Sequence, residues 1–211
     1  MKGIEKLFKA DLDPNRVAAI IFEPVQGEGG FYEAPTDLIR ALRALCDKHG
    51  IVMIADEVQT GFGRAGTSFW QFQHYGVTPD IVTMGKPMGN GQPIAGLLVT
   101  HDAVAQFGRD SRYFNTFAGN TVSCAAAIAV LDTIEQEGLI AHAAKTGAAL
   151  RDGIAALAAR HEAIGDVRGP GAMIALELVH DGDAQRPNPE ATRAIVQEGA
   201  NEGLLLLSCG L

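Results

Sequence analysis

Two runs of strand length, VAAIIFEPV at Val17–Val25 and IVMIADEV at Ile51–Val58, flank a stretch with helical periodicity. That arrangement leaves few folds open. The first run is continuously apolar rather than alternating, so it reads as a strand buried on both faces of a parallel sheet. Between the runs, Leu38, Leu42 and Leu45 recur at i, i+4 and i+7, one apolar stripe. Pro35 suits the first helical turn, Asp37 the positive N-terminal end, Lys48 the negative C-terminal end and Gly50 the stop. The unit is strand–helix–strand, expected to be parallel and right-handed, and it predicts an α/β fold.

Further along, Asp80–Met84 and Ile94–Thr100 read as strands, with a short helix around Phe69–Tyr75. Val122–Glu137 reads as a helix with Asn120 or Thr121 near its cap. A second helix runs from about Ala141 to His161, with Ala143, Gly147, Leu150, Ile154 and Leu157 on one stripe. Ala172–Val179 is expected as a strand, Pro189–Glu202 as a helix and Leu204–Leu207 as a final strand. Asp181–Pro189, DGDAQRPNP, reads as a solvated loop. The expected organisation is a larger domain over 1–140 and a smaller, incomplete α/β domain over 141–211. A chain starting and ending near buried strands lacks sheet edges, so it is expected to be completed by other chains or by more of a longer protein.

Composition removes several function classes. The net charge is −8 and no Lys/Arg tract is present, which argues against nucleic acid. No apolar run approaches the ~20 residues of a membrane span, and residues 1–16 lack the apolar core of a secretory signal. Three distant cysteines suit a reducing cytoplasm better than a disulfide framework. The six histidines show no metal-ligand spacing, and no P-loop, G-x-S-x-G or C-x-x-C occurs. GFGRAG at Gly61–Gly66, followed by Asp80, matches a dinucleotide-binding pattern. However, Gly61 does not directly open a helix and Asp80 precedes its strand instead of ending it. A dinucleotide-binding oxidoreductase and a non-catalytic fragment remain as readings of other classes.

Asp56 and Glu57 end the second predicted strand, where open parallel sheets bind ligands. Lys86 lies just past the third, between Gly85 and Pro87, one crossover away. Together, a lysine amine that condenses with a carbonyl and an aspartate that keeps a pyridine nitrogen protonated suit pyridoxal 5′-phosphate (PLP).

Four blocks sharpen this reading: EPVQGEGG (Glu23–Gly30), IADEVQTGFGR (Ile54–Arg64), GVTPDIVTMGKPMGNG (Gly76–Gly91) and FNTFAGNTVSCAAAIAVLD (Phe114–Asp132). In order and spacing they resemble the class III, or ω-amino acid, PLP-dependent aminotransferases. FWQFQHYG and TMGKPMGNG are similar to one subgroup, the ethanolamine-phosphate phospho-lyases and alanine–glyoxylate-type aminotransferases. The resemblance covers about half of a family member. It implies a fold type I α/β enzyme with a mostly parallel large-domain sheet, working as a cytoplasmic homodimer with a shared site. Lys86 becomes the Schiff-base lysine and Asp56 the partner of the pyridine nitrogen. Val58 packs on one ring face and Gln59 lies near the phenolic oxygen. Thr116 binds the phosphate of PLP held by the neighbouring subunit. Glu28 matches a gating glutamate that pairs with a substrate-recognising arginine, and Glu23 lies on the substrate side or else positions its loop. Arg64 is more simply a loop brace. The implied reaction moves an amino group from an amine or ω-amino acid to a 2-oxo acid, with phosphate elimination as the alternative. The family's phosphate loop, stacking aromatic and substrate-carboxylate arginine fall outside this chain, which is expected to be inactive by itself. Gly119–Thr121 reads Gly-Asn-Thr where Gly-Asn-Pro is usual, and Glu28 is uncommon in the phospho-lyases.

Overall fold

The computed structural model describes residues 1–210. Strands β1 (Ala19–Phe22), β2 (Val52–Asp56) and β3 (Ile81–Met84) run parallel, and β4 (Gly96–Val99) is antiparallel to β3, in the order β1-β2-β3-β4. The expected mostly parallel sheet is therefore present, with one reversed edge. The strands are shorter than the apolar runs predicted. β1 is also an edge strand whose Ile21 is 61% exposed, so it is not buried on both faces.

Helix α2 (Thr36–His49) follows its predicted bounds, and Gly50 ends it with φ 66° and its N–H on the Cys46 carbonyl. The buried line is Ile39, Leu42 and Cys46, rotated from the expected stripe; Leu38 and Leu45 are only half-buried. These residues pack with Ile51, Met53 and Tyr75 into the main core. Burying each such side chain contributes about 1.5–3 kcal/mol. Helix α1 (Lys2–Ala10), unforeseen, sets Ile4 and Phe8 against that core and its charges outward. Asp80 staples the layers: its Oδ2 accepts from Met53 N at 2.7 Å and from Arg43 Nη1 at 2.8 Å.

Helix α3 (His101–Asp110), also unforeseen, starts at Thr100, whose hydroxyl accepts from Ala103 N. Helix α4 (Thr121–Gln136) is capped by Asn120, which accepts from Val122 N and Ser123 N. Helix α5 (Leu139–Ala158) buries Gly147, while Leu150 and Leu157 of the expected stripe are exposed. A β-carbon on Gly147 would overlap the Gly171 carbonyl, so only glycine lets the 169–172 turn sit on this helix.

The remaining strands, β5 (Ile164–Arg168), β6 (Ala175–His180) and β7 (Asp183–Pro187), form a separate antiparallel sheet. Helix α6 (Pro189–Asn201) follows. The expected solvated loop is in fact the tight turn Asp181–Gly182, with φ 54° and 69°, leading into exposed β7. Leu204–Leu207 forms no strand, because no strand of the described residues pairs with it.

Candidate active site

Residues following β1, β2 and β3 meet at the carboxyl ends of the parallel strands. Asp56 closes β2, and its Oδ1 accepts from Val58 N at 3.0 Å, a tight turn. Its register partner is Thr83, whose hydroxyl is buried with no hydrogen-bond partner. Glu57 N extends the ladder by donating to Thr83 O at 3.0 Å, so the two adjacent carboxylates leave on opposite faces.

That divergence separates two residues the sequence could not tell apart. Glu57 is fully buried and accepts from Thr60 Oγ1 at 2.5 Å, Gln71 N at 3.1 Å and Phe72 N at 2.7 Å. It pins the 3₁₀ turn Gln71–Tyr75 beneath the strand end. Burial raises its pKa above the ordinary 4.5; its hydrogen bonds only partly oppose this, and the Asp56 charge adds to it. Glu57→Gln would set an amide NH2 against backbone donors and should cost about 1–3 kcal/mol at neutral pH. An acid with a raised folded pKa stabilises most below its unfolded pKa and loses that contribution as pH rises through the folded value. The stability advantage of wild type over Glu57→Gln should therefore shrink as pH climbs above 4.5. Paired denaturant titrations across that window check this, and a pH-independent difference contradicts it.

Lys86 opens the 3₁₀ turn Lys86–Gly89 after β3. Val58 lies in ordinary contact distance of a β-carbon placed on Gly85, so the turn after Asp56 meets the Lys86 turn. The Lys86 side chain is 58% exposed and its Nζ is 3.9 Å from Glu28 Oε1, itself 83% exposed. An open pair at that distance holds neither group firmly.

The loop carrying Glu28 is bound through its backbone. Glu23 Oε2 accepts from Gly27 N at 2.6 Å, so Glu23 is engaged in shaping its own loop. Tyr75 Oη donates to Pro24 O at 2.7 Å, and burial pushes its pKa up. A β-carbon on Gly27 would overlap the Gln59 amide, which places Gln59 directly against this loop. Asp56, Val58, Gln59, Lys86, Glu23 and Glu28 are thus gathered on linked loops. Thr116 is not. It lies on 111–120, where every residue is exposed, and no hydrogen bond among the described residues joins it to the others.

The GFGRAG stretch is a packing joint. Gly61 N bonds Glu57 O, Gly63 N bonds Phe69 O and Gly66 N bonds Gly63 O, at 2.9, 3.0 and 2.9 Å. A phosphate would find those donors taken, and Asp80 is spent on Arg43 and Met53 N. Both halves of the dinucleotide pattern therefore have structural partners. Arg64 offers its carbonyl to Ala172 N at 3.1 Å, which agrees with a loop brace. Sequence reasoning missed Thr83, and it missed Arg168, which grips the Glu28 loop from the second sheet through Gly30 O and the Tyr32 ring. No local pattern marks a contact between Gly30 and Arg168.

The chain matches the family model described as Aminotransferase class-III over residues 1–211. It is 49% identical to the 4-aminobutyrate aminotransferase of Escherichia coli over 211 residues, covering 99% of this chain and 48% of that protein. An amine transaminase from an uncultivated Pseudomonas species, solved in a PLP-bound form, superposes with TM-score 0.89 at 38% identity, covering 99% of this chain and 49% of that one. A phospholyase from Arthrobacter in complex with phosphoethanolamine superposes with TM-score 0.87 at 36% identity, covering 92% and 46%. The chain spans about half the length of the curated relatives it matches. A match running from the first residue to the last, over an α/β core of the same fold, places this chain in the class III aminotransferase family.

Proposed function

We propose that this chain supplies the cofactor-anchoring half of a PLP-dependent aminotransferase acting between an amine or ω-amino acid and a 2-oxo acid. The observation that supports it most is the placement of Asp56 and Lys86 on adjoining turns at the ends of neighbouring parallel strands. The side chains suit the cofactor. Asp56 engages the chain through Oδ1 alone, the neighbouring Thr83 hydroxyl is buried without a partner, and the Lys86 amine has only a loose contact with Glu28. When bound, PLP supplies an electron sink for negative charge at the substrate Cα.

In this reading Lys86 Nζ holds the cofactor covalently through its carbonyl carbon. Once displaced by the substrate amine, the same nitrogen would take the proton from Cα and deliver it to the cofactor's former carbonyl carbon. Asp56 keeps the proton on the pyridine nitrogen, Val58 packs on the ring and Gln59 lies near the phenolic oxygen. Glu28 governs which substrate carboxylate is accepted, and Glu23 shapes that side through the loop. Thr116 binds the phosphate of PLP held by a second copy of the chain, so the working unit is a homodimer with shared sites. Exposed Phe114 and Phe117, at 86% and 85%, lie beside Thr116 and give that surface apolar contacts to bury. Residues 1–140 act as the large domain and 141–211 as the start of the small one. Free cysteines at 46, 124 and 209 suit a cytoplasmic protein, and no helix among the described residues is long and apolar enough to cross a membrane.

Phosphate elimination is the second reading, favoured by the likeness to the phosphoethanolamine-bound phospholyase. Glu28 weighs against it, because a carboxylate 3.9 Å from Lys86 Nζ repels a phosphate leaving group. The intact protein should therefore transfer an amino group from an ω-amine to pyruvate, glyoxylate or 2-oxoglutarate. Given phosphoethanolamine without an oxo acid, it should release little inorganic phosphate. Rapid phosphate release with no amino transfer from any amine tested would reverse the assignment.

A further inference from the structure

Arg168, at the end of β5, reaches across to the Glu28 loop. Its Nε donates to Gly30 O at 2.7 Å, and its Nη1 donates to Glu177 Oε2 at 2.6 Å and Asp166 Oδ2 at 2.8 Å. Its Cζ stands 4.0 Å from the centroid of the Tyr32 ring, and Tyr32 Oη donates to Glu177 Oε2 at 3.3 Å. Burial works to lower the pKa of this guanidinium, but the bonds to Asp166 and Glu177 outweigh that and raise it. The group stays charged, so Gly30 O receives a charge-assisted hydrogen bond.

The gripped backbone needs holding. Gly30 adopts φ 116°, open to glycine, but Phe31 has φ 59°, a left-handed conformation that a bulky non-glycine residue keeps only where surrounding contacts fix it. The Glu28 side chain, two residues earlier, makes only the 3.9 Å approach to Lys86. Its carboxylate is therefore placed by its backbone and not by side-chain partners. A second tie acts on the same loop, since Gly210 N donates to Glu28 O at 2.8 Å.

We propose that Arg168 is a positioning residue that sets the Glu28 carboxylate through Gly30 and Tyr32, so that the second sheet governs substrate choice at the Lys86 site. This rests on the aminotransferase reading, in which Glu28 holds an arginine aside while an ω-amine binds and releases it for a dicarboxylate. Lysine cannot stand in for Arg168, because one ammonium lacks the planar fork that serves Gly30 O, Asp166 and Glu177 at once. A loosened loop should harm the half-reaction that needs the Glu28–arginine pair and spare the other.

The test compares the two half-reactions of the intact holoenzyme, with 4-aminobutyrate as donor and 2-oxoglutarate as acceptor. Three variants are needed: Glu28→Gln, Arg168→Lys and Tyr32→Leu. Arg168→Lys should lower kcat/KM for 4-aminobutyrate by on the order of 10–10²-fold, with the 2-oxoglutarate half-reaction changed by less than about threefold. Tyr32→Leu should act in the same direction more weakly. Hydrogen exchange at the Gly30 and Phe31 amides should quicken in both while β2 amides stay unchanged. Tyr32 is half-exposed, so its variant decides the matter if Arg168→Lys does not fold. If Glu28→Gln separates the half-reactions but the other two variants do not, the role of Arg168 is overturned and that of Glu28 stands. If Glu28→Gln itself produces no separation, the gating role fails and the proposal falls with it.

Discussion

Alanine in place of Lys86 should silence the intact protein. The variant should lose the visible absorbance of lysine-bound PLP, and turnover should fall by on the order of 10²–10⁴-fold or more, the range of a positioned proton-transfer group. The fold should survive. Lys86 is 58% exposed and its one ionic contact, to Glu28, is loose, so truncation removes little packing. The cofactor can still bind noncovalently. Lys86→Arg should fail equally, because a guanidinium does not form the covalent link and stays protonated. Absorbance spectra and steady-state assays of both variants check this. A variant retaining either the visible band or near-normal turnover removes Lys86 from the chemistry.

Asp56→Asn should be nearly as damaging without disturbing the structure. The side chain keeps an acceptor oxygen for Val58 N, which Oδ1 now meets at 3.0 Å, so the turn at the end of β2 remains. What is lost, on the role proposed for Asp56, is the charge that holds the pyridine proton. Removing one preorganised electrostatic partner typically costs 10²-fold or more, and a drop in kcat on the order of 10² is expected here. Thermal unfolding of the variant should match wild type closely. Near-normal turnover would mean that Asp56 is only a strand-end residue.

The contrast between Asp56 and Glu57 shows where sequence reading stops. Both end the same apolar run, and spacing alone gives them equal standing. The pleat of β2 separates them, since one extra ladder bond from Glu57 N to Thr83 O turns Glu57 into the interior. Helix α2 was legible because Pro35, Asp37 and Gly50 mark its ends. Its buried face was misread by one residue because Ile39 and Cys46 compete with Leu38 and Leu45 for the core. Helix α1 escaped because its charges hide the Ile4–Phe8 spacing. The Asp181–Gly182 hairpin signal was present but led into a polar strand, so it read as a loop.

The site divides in the same way. Asp56, Val58, Gln59 and Lys86 lie in compact blocks that the family resemblance picks out, and they lie on adjoining turns in the fold. Contacts between distant segments leave no such trace. Nothing near Gly30 points to Arg168, and nothing near Gly63 or Gly66 points to Ile140 or Ala144, against which those glycines pack. Glu23 is an intermediate case: its block is recognisable, but only the 2.6 Å bond to Gly27 N assigns it to holding the loop.

Lysine trapping tests the site most directly. The intact protein is incubated with PLP, reduced with borohydride, digested and mapped by mass spectrometry. A single stable pyridoxyl adduct is expected, on the peptide containing Lys86, and substrate amine added before reduction should diminish it. An adduct on a different lysine, or none at Lys86 while the protein still turns over, would contradict the account.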